Sequence, residues 1–175
     1  MTPPVIMTDR LVLRGHEAGD FEDCAAMWSD WRVTRYIGFN RSRQDTWFTM
    51  ARYRGFWDLL GYGYWIARDR QTGAFVGEMG FADFRRSLEP DIAGGPEAGW
   101  ALASHAFGQG FGLEAVRAIH GWLDAALPRQ PCHCIIDPAN AASIRLAEKA
   151  GYRYLQEAMS GETRVLLFRR APLRV

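Results

Sequence analysis

The 175 residues of this chain, 48% of them hydrophobic, are enough to bury the core of one domain (residues 1–175) and argue against intrinsic disorder. The formal net charge of +1 gives no overall electrostatic preference for nucleic acid. No stretch approaches the ~20 apolar residues of a membrane span, and the first residues lack the apolar region of a signal peptide, so we expect a soluble, cytoplasmic protein without a membrane partner.

The first third of the chain predicts one strand and two helices. Residues 10–15 alternate apolar and polar side chains, as a half-buried strand does. Asp20 is a suitable N-cap for the helix that follows, which includes Trp28. Between about residues 43 and 60, large apolar side chains recur at helical spacing, which predicts a second and longer helix.

The middle of the chain predicts a β-hairpin and a further strand. Residues 62–69 and 74–84 are rich in aromatic and apolar side chains, and a turn that contains a glycine separates them. Residues 88–96 hold paired glycines between two prolines and are predicted as a loop. Residues 97–103 form the next predicted strand.

The second half of the chain alternates helices with strands. A helix is predicted over residues 109–126 and ends near Pro128, and a strand follows over residues 132–137. Residues 140–151 predict a short helix that a glycine closes. The remaining chain predicts two strands that meet at Ser160 and Gly161.

Taken in order, these elements predict a mixed α/β fold with about seven strands and an antiparallel front half. The strand–helix–strand unit from Glu97 to Asp137 must be a parallel crossover if both of its strands are neighbours in one sheet. Helices are expected to flank this sheet.

The three cysteines predict buried side chains rather than a disulfide framework. Their number is odd, and no secretion signal accompanies them. Cys132 and Cys134 flank His133, so in a strand the two sulfurs share one face and the imidazole lies on the other. Because no second pair of ligands follows, we expect no metal site.

The stretch GQGFGLEAV (residues 108–116) places three alternate glycines before a predicted helix. Such a loop can direct backbone N–H groups and a helix N-terminus at one phosphate, or it can be an ordinary turn. No Gly-Lys-Ser/Thr follows, so it is not a Walker loop. Residues 110–115 also fit the dinucleotide pattern GxGxxG/A, and Asp137 ends the next strand. However, residues 104–107 separate the loop from its strand, and little chain follows Asp137.

Three motifs together resemble the GNAT N-acetyltransferases. FGQGFGLEAV resembles their acyl-CoA pyrophosphate loop, Arg/Gln-x-x-Gly-x-Gly/Ala, with Gly110 and Gly112 at the small positions. Phe107 replaces the Arg/Gln, as in the ribosomal-protein alanine N-acetyltransferase-like (RimJ/RimL-type) branch. TDRLVLR (residues 8–14) and NAAS (residues 140–143) resemble further marks of that branch. The resemblance covers about residues 8 to 153 and implies the GNAT fold, with a splayed parallel pair of strands at the cofactor cleft.

The resemblance also implies a set of cofactor contacts. Main-chain N–H groups of the loop would hold the pyrophosphate, and the strand segment Trp100–Ala103 would lie beside the pantetheine arm. A bulge at Gly99 would free an N–H to polarise the thioester carbonyl. The implied cofactor-binding residues are Trp100, Ala101, Leu102, Ala103, Gly108, Gln109, Gly110, Phe111, Gly112, Leu113, Asn140 and Ser143.

Catalytic roles are less fully specified by the sequence. Many GNAT enzymes carry a tyrosine as the acid for the departing thiolate, but the matching position here is Ala147. Ser143, one turn earlier, is expected to serve as this acid or only to bond the cofactor, and both Ser143 and Asn140 also suit local helix capping. Glu97 is the first candidate for the general base, and Glu78, inside an apolar strand, is the second.

The leading expectation is therefore an N-acetyltransferase that moves the acetyl group of acetyl-CoA to a primary amine by direct transfer in a ternary complex. The acceptor would be a protein N-terminus or a small-molecule amine, and the family also allows a homodimer. A non-catalytic protein that binds acyl-CoA as a sensor is the alternative function, because Ala147 replaces the tyrosine. A dinucleotide-binding oxidoreductase is the third hypothesis for the function.

Overall fold

The computed structural model describes residues 2–38, 41–89, 95–127 and 130–172. These residues contain nine strands: β1 (Ile6–Met7), β2 (Leu11–Arg14), β3 (Tyr64–Asp69), β4 (Phe75–Ala82), β5 (Leu88–Glu89), β6 (Glu97–Leu102), β7 (Cys132–Ile136), β8 (Arg153–Ser160) and β9 (Thr163–Arg170). All nine belong to one sheet, in the order β1-β2-β3-β4-β6-β7-β9-β8-β5.

The same residues form five α-helices: α1 (Phe21–Ser29), α2 (Trp31–Thr34), α3 (Arg43–Leu60), α4 (Phe111–Ala126) and α5 (Ala141–Lys149). The predicted bounds of α3 are confirmed. It begins at a capping box in which the Ser42 hydroxyl accepts from the Asp45 N–H. It ends at Gly61, whose φ of 74° is left-handed. None of these described helices is long and apolar enough to cross a bilayer.

The strand pairing confirms the predicted α/β fold class. Neighbouring strands are antiparallel except β6 and β7, which are parallel and are joined by α4. β4 pairs with the whole of β6, whereas β7 pairs with β6 at one position in the described residues, Glu97 opposite His133. No further β6–β7 pair occurs in the described residues, so the carboxyl-terminal parts of the two strands are not paired with each other, and the space between them is called the opening below.

Successive residues of β3 face two separate hydrophobic cores. Trp65 packs in the core that includes Ile119 of α4, whereas Ile66 packs in the core that includes Trp28 of α1. Trp65 and Ile66 are both fully buried. The sheet is therefore covered on both faces. This packing holds the central strands, including β6, in place beside the opening.

The two shortest strands were not predicted. β5 lies in the segment that the sequence predicts as a loop, and it pairs with Met159 and Ser160 of β8. A strand of two residues has no periodicity of its own, and its partner lies far along the chain, so local pattern cannot reveal it. Residues 90–94 of that loop, and Pro128 at the predicted end of α4, lie outside the described residues.

Two local predictions differ in detail from the structure. α4 begins at Phe111 rather than Gln109, because Gly110 has a left-handed φ of 81° and stands outside the helix.

Asp20 precedes α1 but its side chain makes no cap hydrogen bond. It accepts hydrogen bonds from Arg14 and Arg68 instead. Burial disfavours the charged carboxylate, but these hydrogen bonds outweigh it and lower the pKa of Asp20 to about 2.

The three cysteines are buried, as predicted. Cys132 and Cys134 belong to the same core, where the Cys132 Sγ lies 3.1 Å from the Tyr152 hydroxyl. Burial raises the pKa of Cys132 to about 12, so its thiol stays protonated at neutral pH. Within the described ranges, no group of three or more His, Cys, Asp or Glu side chains is arranged to hold a metal ion.

His120 of α4 makes the stability of the fold dependent on pH. Its ring lies between Phe81 and Tyr152, and neither ring nitrogen has a hydrogen-bond partner among the described residues. Burial lowers the pKa of His120 to about 3, with Arg170 adding to the effect. The unfolded chain takes up this proton near pH 6.5, so the stabilising effect is present above pH 6.5 and is lost as the pH falls towards the folded-state value.

We therefore expect His120→Leu to reduce the acid sensitivity of the fold. Between pH 6.5 and about pH 4.5, the free energy of unfolding of the unsubstituted protein should fall by about 2–3 kcal/mol more than that of the variant. Urea unfolding at several pH values measures this difference. Parallel pH profiles for the two proteins would contradict the assignment.

Candidate functional site

The opening between β6 and β7 presents backbone groups of β6. The Ala103 N–H donates to the Val76 carbonyl at 2.9 Å, and β4 and β6 stay in register as far as Glu97. Backbone groups alternate in direction along an antiparallel strand, so the N–H and C=O of Trp100 and Leu102 point away from β4. Because β7 has diverged at this level, β6 offers an edge to which an extended ligand can hydrogen-bond.

The glycine-rich loop lies just beyond the carboxyl end of this edge. Gly108 and Gly110 have left-handed φ values of 73° and 81°, which favour glycine strongly. The Glu114 N–H donates to the Gly110 carbonyl as α4 begins. The amides of residues 111–113 therefore precede the first hydrogen bond of the helix and suit an anion, which the helix dipole also attracts.

Gly112 has a packing role that the sequence did not reveal. A Cβ at this position would lie 2.8 Å from Leu146 Cδ1 of α5 and 3.4 Å from Leu102 Cδ1 of β6. The absence of a side chain at Gly112 therefore lets α4 approach α5 and the end of β6. This contact places the loop, the open edge and α5 side by side.

Ser143 connects α5 to the open edge of β6. The Asn140 side-chain oxygen accepts from the Ser143 N–H at 3.1 Å, so Asn140 caps α5, as one of its two predicted roles requires. The Ser143 hydroxyl accepts from the Trp100 indole N–H at 3.3 Å. A hydroxyl that accepts one hydrogen bond still has its own proton to donate. Ala147, one turn later, is fully buried, so that position contributes no group to the opening.

The predicted bulge at Gly99 is wrong. The β4–β6 register runs without a shift through the pair Gly80–Gly99. A Cβ at position 99 would instead overlap the Tyr64 hydroxyl from β3. Gly99 is thus explained by the close approach of an aromatic side chain, which is the other common reason for a glycine inside a strand.

Glu97 lies at the closed end of the opening. It is the first residue of β6, and its carboxylate forms an ion pair of 3.0 Å with Arg86. Burial raises the pKa of Glu97, and Arg86 opposes that effect only in part. At the usual rise of a strand, Glu97 lies about 10 Å from Trp100 along β6 and farther from the glycine loop. The structure therefore separates this candidate base from the predicted cofactor contacts.

Glu78 is a buried carboxylate whose oxygens are already engaged. It accepts hydrogen bonds from His16 Nε2 at 2.6 Å and from Trp28 Nε1 at 2.5 Å, and the Cys24 Sγ lies 3.5 Å away. Burial works against the carboxylate, but the hydrogen bonds outweigh it, so the pKa of Glu78 lies below its usual value. Such a group is well suited to hold α1 against the sheet and poorly suited to accept a proton. Nothing local in the sequence marked His16 as its partner.

Comparisons with known proteins agree with this geometry. The family model for the acetyltransferase (GNAT) domain matches residues 10–153. YkkB of Bacillus subtilis (strain 168) is 32% identical over 161 residues, which cover 85% of each chain. A solved GnaT-family acetyltransferase from Bordetella pertussis is 32% identical and has a TM-score of 0.84, with 96% of this chain and 99% of that chain covered.

The fold also matches RimL, a ribosomal L7/L12 α-N-protein acetyltransferase solved in complex with coenzyme A. The TM-score is 0.77 at 13% identity, with 97% of this chain and 98% of that chain covered. The resemblance inferred from the three sequence motifs is thus confirmed over nearly its whole predicted extent. The splayed strands, the glycine loop and the family match lead to one conclusion: this chain belongs to the GNAT family of acetyltransferases.

Proposed function

We propose that this protein transfers the acetyl group of acetyl-CoA to a primary amine, directly and within a ternary complex. The observation that carries the proposal is the convergence of two binding features. The open edge of β6 ends beside the amino end of α4, through the contact of Leu102 with the Gly112 position. The first feature suits the extended pantetheine arm, and the second suits the pyrophosphate.

The residues of the opening would act mainly by positioning the reactants. Amides of residues 111–113 would bind the pyrophosphate, and the backbone groups of Trp100 and Leu102 would bind the pantetheine amides. Asn140 would contribute its side-chain amide from the start of α5. Holding the thioester beside an incoming amine in this way lowers the entropic part of the barrier.

Ser143 is the proposed donor to the leaving sulfur. As the amine nitrogen bonds to the acetyl carbon, the C–S bond breaks and the sulfur takes up negative charge. The Ser143 hydroxyl accepts from Trp100 and so has its proton available to stabilise that charge. The amine passes its proton through water to a base, and the departing thiolate takes a proton from the Ser143 hydroxyl, which water then reprotonates.

Glu97 is the proposed base, acting through water because it lies at the far end of β6. Its role depends on the acceptor. A protein α-amine has a pKa of about 7.7–8.0 and is partly neutral already, whereas a lysine-like amine near 10.4 needs more help. The aromatic side chains Trp31, Tyr36 and Trp47 would form one wall of the acceptor site.

We expect Glu97→Gln to lower kcat/KM by about 100-fold for an alkyl amine and by less for a peptide α-amine. Steady-state assays with both amines measure the difference. Glu89→Gln, at an exposed carboxylate of β5, is the control and should retain activity. A normal rate for Glu97→Gln with every amine would remove Glu97 as the base.

The proposed function is tested by incubating the protein with acetyl-CoA and a panel of peptides and small amines. Free thiol and product mass are followed together. Thiol release that depends on one amine, with an added acetyl group on that amine, supports the proposal. Tight binding of acetyl-CoA without turnover of any amine would favour a sensor, for which the buried Ala147 is the supporting observation. Binding of NADH but not acetyl-CoA would contradict both.

A further inference from the structure

The turn between β1 and β2 is hydrogen-bonded to the first turn of α4. The Thr8 hydroxyl donates to Glu114 Oε1 at 2.6 Å, and the Arg10 backbone N–H donates to the same oxygen at 2.9 Å. The Arg10 Nε donates to Glu114 Oε2 at 2.7 Å. One carboxylate thus receives hydrogen bonds from two residues that precede it by more than 100 positions in the sequence.

Arg10 also contacts the glycine loop itself. Its Nη1 donates to the Gln109 carbonyl at 2.9 Å, and its guanidinium lies 4.5 Å from the centre of the Phe111 ring. Its Nη2 lies 3.4 Å from the place that a Cβ of Gly110 would take. The side chain therefore contacts Gln109 and Phe111, the two neighbours of the left-handed Gly110.

The charge of Glu114 gives this contact a second effect. A carboxylate in the first turn of a helix stabilises the helix, but it repels any other anion that binds there. The ion pair with Arg10, at 2.6 Å, neutralises that charge beside the loop. The Arg10 side chain is 47% exposed, so the pair adds little to global stability. The main effect of the pair is to reduce the negative charge beside the glycine loop.

We propose that Arg10 is a positioning residue for coenzyme A. By holding Gln109 and Glu114, it keeps the amides of residues 111–113 directed at the pyrophosphate, and it removes the repulsion that Glu114 would otherwise exert. This inference rests on the proposed function. Thr8 supports Arg10 by binding the same carboxylate.

Arg10→Ala tests the proposal, with Arg70→Ala as a matched control. Arg70 Nη1 donates to the Thr8 carbonyl at 2.6 Å, so it supports the same turn, but it makes no hydrogen bond to the loop in the described structure. Calorimetric titration with coenzyme A should show a dissociation constant about five- to tenfold higher for Arg10→Ala. Arg70→Ala should match the unsubstituted protein.

Kinetics and hydrogen exchange separate positioning from a general loss of structure. In Arg10→Ala, the KM for acetyl-CoA should rise while kcat at saturation stays unchanged. Amides of residues 109–113 should exchange faster than in Arg70→Ala, without added ligand, while the melting temperatures of the two variants agree. Adding Glu114→Gln to Arg10→Ala should restore part of the affinity, because it removes the uncompensated charge.

Equal affinities for coenzyme A in Arg10→Ala and Arg70→Ala would overturn the proposal. A double variant that binds no better than Arg10→Ala would overturn its electrostatic part. If the unsubstituted protein does not bind coenzyme A, the proposed function itself fails, and the role of Arg10 fails with it. If it binds and the two single variants agree, only the role of Arg10 fails.

Discussion

A Gly110→Val variant is expected to raise the KM for acetyl-CoA by about 10- to 100-fold while the protein stays folded. Gly110 has a φ of 81°, and a β-branched residue adopts that conformation only under strain. The strain is about 1–3 kcal/mol, and every 1.4 kcal/mol corresponds to about a tenfold change in binding. The loop is expected to relax it by changing the direction of the amides of residues 111–113.

Space is not the obstacle at Gly110, since a Cβ there would meet only the flexible end of Arg10 at 3.4 Å. Gly112 would make a poorer test, because a side chain there would press on Leu146 and disturb the packing of α5 as well. Gly73→Val is the control, since Gly73 has a φ of 73°, lies in the turn between β3 and β4, and has open space around it. It should lose similar stability and keep its KM. Equal KM values in the two variants would contradict the loop assignment.

A Glu78→Gln variant is expected to lose about 3 kcal/mol of unfolding free energy. The carboxylate is 1% exposed and accepts from both His16 and Trp28. A neutral amide presents two N–H donors and only one acceptor oxygen, so buried donors face each other. Urea unfolding measures the change.

Glu22→Gln is the matched control for this loss. Glu22 forms an ion pair with Arg43, but that pair is exposed to solvent, so its removal should change the free energy of unfolding far less than the loss of the Glu78 carboxylate. Equal losses in the two variants would show that the buried network around Glu78 is not a principal support of α1.

Elements that have their own hydrophobic periodicity, or capping and turn residues at their ends, could be predicted from the sequence. α3 has helical spacing of apolar side chains between Ser42 and Gly61, and its predicted bounds agree with the structure. The hairpin of β3 and β4 likewise carries a local turn signal. The family prediction followed because three motifs occurred in the right order, and each motif lies within a few residues.

What the sequence could not show depends on contacts between distant parts of the chain. β5 exists because it pairs with β8, and Glu78 is held by His16 from the segment that follows β2. The bulge at Gly99 was a reasonable interpretation of a glycine in a strand, but the neighbouring Tyr64 hydroxyl explains the same residue. The contact of Arg10 with the loop belongs to the same class. Side-chain approach across a sheet leaves no local pattern.

The most direct test of the central claim is a titration of ¹⁵N-labelled protein with coenzyme A, followed by NMR. If the pyrophosphate binds the amino end of α4 and the pantetheine arm binds the edge of β6, the largest amide shifts will occur at residues 108–113 and at Trp100 and Leu102. Smaller shifts are expected along α5 near Asn140. Shifts confined to other parts of the chain, or no shifts at millimolar coenzyme A, would contradict the account.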